Sequence, residues 1–163
     1  MPSNSNGVSR RNLLRWCTAL ALASASLGVQ ATDISKAVYH VDFADPERYS
    51  LTLTSVNNML NAYEQELRDY DVQIVFVGFG TRFVTDDKKA GSDKKLDEKR
   101  AEYKGRLESL QKIRGVKLAV CSNTLQDFGI PEKNLYANVK VVPSGVAYIA
   151  DLQKQGAAYL KIQ

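Results

Sequence analysis

Residues 72–80 read VQIVFVGFG, an apolar run interrupted only by Gln73 and closed by glycines. A short run of this kind, rich in Val and Ile and ended by a breaker, predicts a strand covered on both faces, as strands of a parallel sheet are. On its N-terminal side, residues 37–43 (AVYHVDF) are rich in β-branched and aromatic side chains and run into the turn chemistry of Ala44-Asp45-Pro46. They form a first strand. Between the two, Leu53, Val56, Leu60, Tyr63 and Leu67 recur at spacings of three and four. That period predicts an amphipathic helix over 46–70, with Pro46 in its first turn and Asp45 as its cap.

The same alternation continues toward the C-terminus. A helix is predicted over 96–114, with Leu96, Tyr103, Leu107 and Leu110 on one side, then strands over 116–120 and 139–142. Val146, Ile149 and Leu152 at spacings of three predict a helix over 144–155 that Gly156 stops, and 157–162 is a last strand. Strand and helix in alternation are βαβ units, so the fold class is α/β: one three-layer domain with a mainly parallel five-stranded sheet. Ligands of such sheets gather beyond the carboxyl ends of the strands. Those ends are residues 42–45, 78–81, 121–124 and 143–145.

Composition agrees with one globular domain: 163 residues, 44% hydrophobic and 25% charged. Ten Gly and four Pro exclude collagen-like and low-complexity chains. The net charge is +4, but Arg10, Arg11 and Arg15 are the only charged residues before Asp33, leaving 19 basic against 18 acidic residues beyond them. A nucleic-acid binder keeps a basic stripe on its folded part, and this chain does not. Segment 86–100 (DDKKAGSDKKLDEKR) is close to charge balanced and reads as a solvated, mobile loop running into an exposed helix start.

Segment 1–31 reads as a targeting peptide. It has a charged head at 9–15 (SRRNLLR), an apolar and small run over 16–29, and Val29-Gln30-Ala31 as an A-x-A-like cleavage site. Arg10-Arg11 followed by Leu13 and Leu14 resembles the twin-arginine export motif. The apolar run is shorter than the roughly 20 residues of a permanent span, so no stable membrane insertion is expected after cleavage. The expected location is the periplasm, with the domain at 32–163.

Cys17 leaves with the signal, so the domain holds one cysteine, Cys121, and no internal disulfide. Cys121 follows the strand residues Leu118, Ala119 and Val120 and precedes Ser122, Asn123 and Thr124, which can cap a helix. A thiol placed at a helix start meets free backbone amides that favour the thiolate, the nucleophilic and sulfur-carrying form. A persulfide is one of the reversible caps such a thiol accepts. A buried, inert cysteine is the competing reading. The reactive reading requires a sulfur open to solvent. Gly78, Gly80, Pro143, Ser144 and Gly145 stand at the other strand ends, read either as turn and helix-start residues or as an anion site. His40, the only histidine, lies in the first strand and assists Cys121 only if the first and third strands are neighbours. One His and one Cys do not make a metal site, and no cofactor is expected.

Several blocks in order resemble the DsrE/DsrF-like family of sulfur-metabolism proteins. They are AVYHVDF with Pro46 soon after, LTLTSVNNMLNAY, VQIVFVGFG, GVKLAVCSNTL (115–125), FGIPEKNLY (128–136) and VKVVPSGVAYIADLQKQGAAYLKI (139–162). The charged stretch 88–95 reads as an insertion against that pattern. The resemblance implies a flavodoxin-like domain that assembles as a homo-oligomer, and it places Cys121 where the family keeps its redox or sulfur-carrying cysteine. The expected function is periplasmic handling of sulfane sulfur as a persulfide on Cys121, with a sulfur donor or acceptor protein as partner; enzymatic transfer and simple carriage both fit. The alternatives are a non-catalytic module binding a small anion or nucleotide-like ligand, and an oligomeric scaffold with a structural cysteine.

Overall fold

The computed structural model describes residues 34–163 together with Met1. Residues 2–33, which hold the expected targeting peptide with its arginine pair and Cys17, lie outside the described residues. Five strands form: β1 (Ser35–Val41), β2 (Tyr70–Phe76), β3 (Lys117–Cys121), β4 (Val139–Val142) and β5 (Ala158–Leu160). Four helices connect them, α1 (Pro46–Gln65), α2 (Lys94–Lys112), α3 (Ser122–Phe128) and α4 (Gly145–Lys154), with 3-10 turns at Gly78–Phe83, Lys88–Ala90 and Glu132–Asn134. The strands are all parallel, in the order β4-β3-β2-β1-β5.

Alternation along the strands divides the core into two layers. Tyr39, Val41, Ile74, Phe76, Leu118 and Val120 face one side, packed with Tyr49, Leu53, Val56 and Leu60 of α1, Leu107 and Leu110 of α2 and Leu125 of α3. Val38, Val75, Ala119 and Val142 face the other, packed with Ile149 and Leu152 of α4. Hence three helices cover one face and one covers the other, the three-layer arrangement expected from the βαβ pattern. Burial of side chains such as Leu60, at 0% exposure, is what holds the layers together; truncating one to Ala costs about 2–5 kcal/mol.

Three local expectations are corrected. The first helix stops at Gln65, because Leu67 takes a left-handed φ of 53° at the surface and Tyr70 already belongs to β2. The buried stripe of α4 runs through Gly145, Ile149 and Leu152, so Val146 points outward at 60% exposure. Segment 86–100 is tied down rather than free. Arg82 reaches Asp93 at 3.1 Å, Lys88 reaches Asp97 at 3.0 Å, Lys104 reaches Asp86 at 3.2 Å and Asn134 donates to Asp87 at 2.8 Å. Ala90 inside it is buried, and Asp93 caps α2 by accepting the Leu96 amide at 2.9 Å. Individually such exposed pairs contribute little; as a network anchored on the buried Arg82 they fix the segment's path. Among the described residues no helix is long and apolar enough to cross a membrane.

Candidate functional site

The connection after β3 leads to α3 on one face of the sheet, and the connection after its neighbour β4 leads to α4 on the other. Where adjacent strands send their connections to opposite faces, a crevice opens at their carboxyl ends, and ligands of open α/β sheets bind there. The last residue of β3 is Cys121. Beside it, Pro143-Ser144-Gly145 carries the chain from β4 into α4.

Cys121 alternates onto the α4 side of the sheet, two residues beyond Ala119. The N-terminus of α4 lies directly against it. A Cβ built on Gly145 would stand 3.2 Å from Cβ of Cys121 and 2.5 Å from Cγ2 of Val77, so only glycine lets the backbone come this close. Ser144 fixes that approach by capping α4, its Oγ accepting the Ala147 amide at 3.4 Å.

Cys121 is itself the N-cap residue of α3, with extended backbone at φ −73° and ψ 120°. Ser122, Asn123 and Thr124, expected to cap, instead begin the helix. No side chain makes a strict capping hydrogen bond there; the sulfur occupies the acceptor's place. Burial pushes the Cys121 thiol up, but hydrogen bonding from the Gly145 amide, the Thr124 amide and hydroxyl and the Asn123 amide outweighs it, leaving the thiol below its ordinary value. These donors come from two separate elements, and all of them favour the charged form.

The expectation of a sulfur open to solvent is corrected: Cys121 is 5% exposed. Closure of Gly145 and the first turn of α3 over the thiol is the cause. Amide and hydroxyl donors nonetheless act on its thiol from one side, while buried Val142 is its partner in the register with β4.

The remaining sequence candidates divide. Gly78, with φ 54°, joins the site indirectly, its amide donating to Thr124 Oγ1 at 3.0 Å. Gly80 does not. A Cβ there would meet the Val41 carbonyl oxygen at 2.0 Å, so its glycine serves a close backbone crossing. Pro143 is exposed, and Ser122 Oγ accepts from Gln126 Nε2 at 3.4 Å. His40 does not reach Cys121. β2 lies between β1 and β3, a separation of about 10 Å. The histidine instead sits 2.9 Å from the Tyr159 hydroxyl through Nδ1 and 4.0 Å from Asp42 through Nε2. Lys161 completes that cluster, 2.7 Å from Asp42.

The hydrogen bond between the Thr124 hydroxyl and the Gly78 amide was not read from the sequence; its signal is a hydroxyl residue three places after the cysteine, the spacing of an N-cap and its third helical position. Among the described residues no group of three His, Cys, Asp or Glu converges to hold a metal.

The sequence signature of the DsrE/DsrF-like family matches residues 36–162. Among solved structures, the chain is similar to the protein of unknown function MTH1491 from Methanobacterium thermoautotrophicum, at 28% identity and a TM-score of 0.63, over 78% of this chain and 98% of that one. It is similar in fold to the ychN protein from E. coli, at 19% identity and a TM-score of 0.54, over 78% of this chain and 99% of that one. None of the curated proteins compared with the chain matches it. With its parallel sheet, its cysteine at the carboxyl end of β3 and a family match over residues 36–162, this chain belongs to the DsrE/DsrF-like family.

Proposed function

We propose that the protein is an exported sulfur carrier in which Cys121 takes up sulfane sulfur as a persulfide and passes it to an acceptor thiol. Membership of the DsrE/DsrF-like family suggests a sulfur-related role. The observation that carries the finer reading is the packing of Gly145 at the start of α4 against Cys121, itself the N-cap residue of α3 at the carboxyl end of β3, where amides of both helices hold its thiol below the ordinary value. The charged head and apolar run of segment 1–31 support export.

In the uptake step the Cys121 thiolate attacks the outer sulfur of thiosulfate. The S–S bond of thiosulfate breaks, sulfite leaves with the bonding electron pair, and Cys121 is left as Cys–S–S⁻. In the delivery step an acceptor thiolate attacks that outer sulfur, taking it as its own persulfide and returning Cys121 to the thiolate. Both steps need an anion stabilised on Cys121, which is what amide and hydroxyl donors supply.

The low exposure of Cys121 favours a second reading, a structural thiol in an oligomeric scaffold. Cyanolysis separates the two. Protein treated with thiosulfate and freed of small molecules should release roughly one thiocyanate per chain from Cys121 when cyanide removes the outer sulfur, and Cys121→Ser should lose that thiocyanate. Wild-type protein that yields no thiocyanate after thiosulfate or polysulfide would reject the carrier reading in favour of the scaffold.

A further inference from the structure

β5 is the shortest strand of the sheet and lies at its edge, joined to β1 by three register pairs, Ala37 with Ala158, Val38 with Tyr159 and Tyr39 with Leu160. Two side-chain ties fasten it. The Tyr159 hydroxyl lies 2.9 Å from Nδ1 of His40, with its ring edge-on to the imidazole, and Lys161 donates to Asp42 Oδ2 at 2.7 Å. That same oxygen lies 4.0 Å from Nε2 of His40, too far for a hydrogen bond. Nε2 is buried and has no partner among the described residues. Beyond the strand, Arg48 donates to the Ile162 carbonyl, a tie that does not titrate in this range.

One carboxylate oxygen therefore stands between an ammonium that holds it and an imidazole that can gain a proton. A neutral ring carries one N–H, whereas a protonated ring carries two and has to place both. The carboxylate beside Nε2 is already bonded to Lys161, so protonation sets two cations around one acceptor, against the ring of Tyr159. Detaching β5 takes away Lys161 and the tyrosine together and leaves Asp42 to His40. The other neighbours are neutral or already paired. Val75 is the register partner of His40 on β2, Lys36 donates to the Gln155 carbonyl at 3.0 Å, and on α4, which packs over this face, Lys154 reaches Asp151 at 3.5 Å and Tyr148 donates to Gln73 at 2.9 Å.

We propose that His40 is the trigger of an acid-released latch on the C-terminal strand: with the ring neutral, Tyr159 and Lys161 hold β5 against β1, and with the ring protonated, His40 competes with Lys161 for Asp42 and residues 158–161 loosen. Burial first, and Lys161 with it, holds the attached ring below its ordinary 6.5 against the pull of Asp42. A detached β5 leaves the ring free to bind its proton more readily, so acid favours detachment. Release bares the outer edge of β1, whose amides and carbonyls then have no strand beside them. No sulfur on Cys121 is involved, and the latch stands or falls apart from the carrier reading.

The test is amide hydrogen exchange of the full chain by NMR from about pH 8 to about pH 5, corrected for the intrinsic pH dependence of exchange, with the His40 titration followed in the same samples. Protection of 158–161 should fall relative to β2 and β3 as His40 protonates, by about tenfold for each pH unit that its midpoint lies under 6.5. His40→Gln keeps a hydrogen-bonding side chain that does not titrate, and should abolish the fall. Lys161→Met should lower protection of 158–161 already at the alkaline end. Protection that stays constant through the His40 titration overturns the proposal, as does a fall that persists in His40→Gln. Should His40→Gln not fold, unchanged protection in Lys161→Met overturns it alone.

Discussion

Gly145 is pressed against Cys121 so closely that a methyl group on Gly145 would sit 3.2 Å from the cysteine's Cβ and well inside contact distance of Val77. The contact delivers the Gly145 amide to the sulfur. Gly145→Ala should therefore act in two ways. An alanine at a helix start ordinarily gains up to about 1 kcal/mol over glycine, whereas overpacking at this position costs about 1–3 kcal/mol. Thermal unfolding should show a net loss of stability. The Cys121 thiol should also titrate higher, because α4 has to move back with its amide. A variant as stable as wild type with an unchanged thiol would show that the contact is not used.

Arg100 stitches the charged segment to the domain. Its Nη1 donates to the carbonyls of Arg82 at 3.1 Å and Thr85 at 2.9 Å, and its Nη2 donates to Ser92 Oγ at 3.2 Å and to Asp97 at 3.3 Å. Arg100→Ala should lower stability by about 2 kcal/mol by leaving these acceptors unpaired, and limited proteolysis should begin to cut within 86–93. Arg100→Lys should recover little of it, since an ammonium cannot span four acceptors as the planar guanidinium does. Unchanged proteolysis in Arg100→Ala would contradict the tie.

Asp97 accepts from the Ser92 hydroxyl, from Lys88 and from Arg100, and these partners hold its carboxyl down to about 2, against an ordinary 3.8. A carboxyl depressed in the fold contributes stability that is complete above its ordinary value and fades as the pH falls toward the folded value. Amide exchange in 86–100 should accordingly quicken, relative to the sheet, between about pH 4 and pH 2. Asp97→Asn should show quickened exchange already at neutral pH and no further acid step there.

His40 is pushed below its ordinary 6.5 by burial, with Asp42 opposing and Lys161 adding to the effect. A histidine depressed in the fold resists protonation, so its contribution is complete above 6.5 and is lost as acidification carries the pH through the lowered value. Proton NMR should place the His40 midpoint under 6.5, and Asp42→Asn, by removing the opposing carboxylate, should lower it further. A midpoint that rises in Asp42→Asn would contradict the arrangement around the β1–β5 edge.

Much of the fold was legible because its signals are local. The apolar run at 72–76 and the three-and-four spacing of Leu53, Val56 and Leu60 each report burial by one face or two, and the structure buries all of them in the way the period requires. Leu67 and Val146 misled for the same reason. Each continues an apolar period by one position past the point where backbone conformation, φ 53° at Leu67, or the start of the buried stripe at Gly145 decides the outcome. Strand order is not local. That β2 separates His40 from Cys121 while β5 brings Tyr159 and Lys161 to His40 follows from α4 crossing the whole sheet, which no spacing in the chain encodes. Cys121 itself was legible as a strand-end thiol. Its burial was not, since the covering group is the backbone of Gly145, 24 positions later in the sequence. The pinning of segment 86–100 was hidden similarly: charge balance looks the same whether the charges meet solvent or each other.

Peptide mass spectrometry of the full chain after brief exposure to polysulfide at neutral pH addresses the sulfur directly, with Cys17 as an internal comparison. Added sulfur should appear on the peptide bearing Cys121, should be removed by a dithiol reductant, and should be absent from that peptide in Cys121→Ser. Cys121 recovered unmodified while Cys17 takes up sulfur would show that the donors gathered around Cys121 serve packing alone.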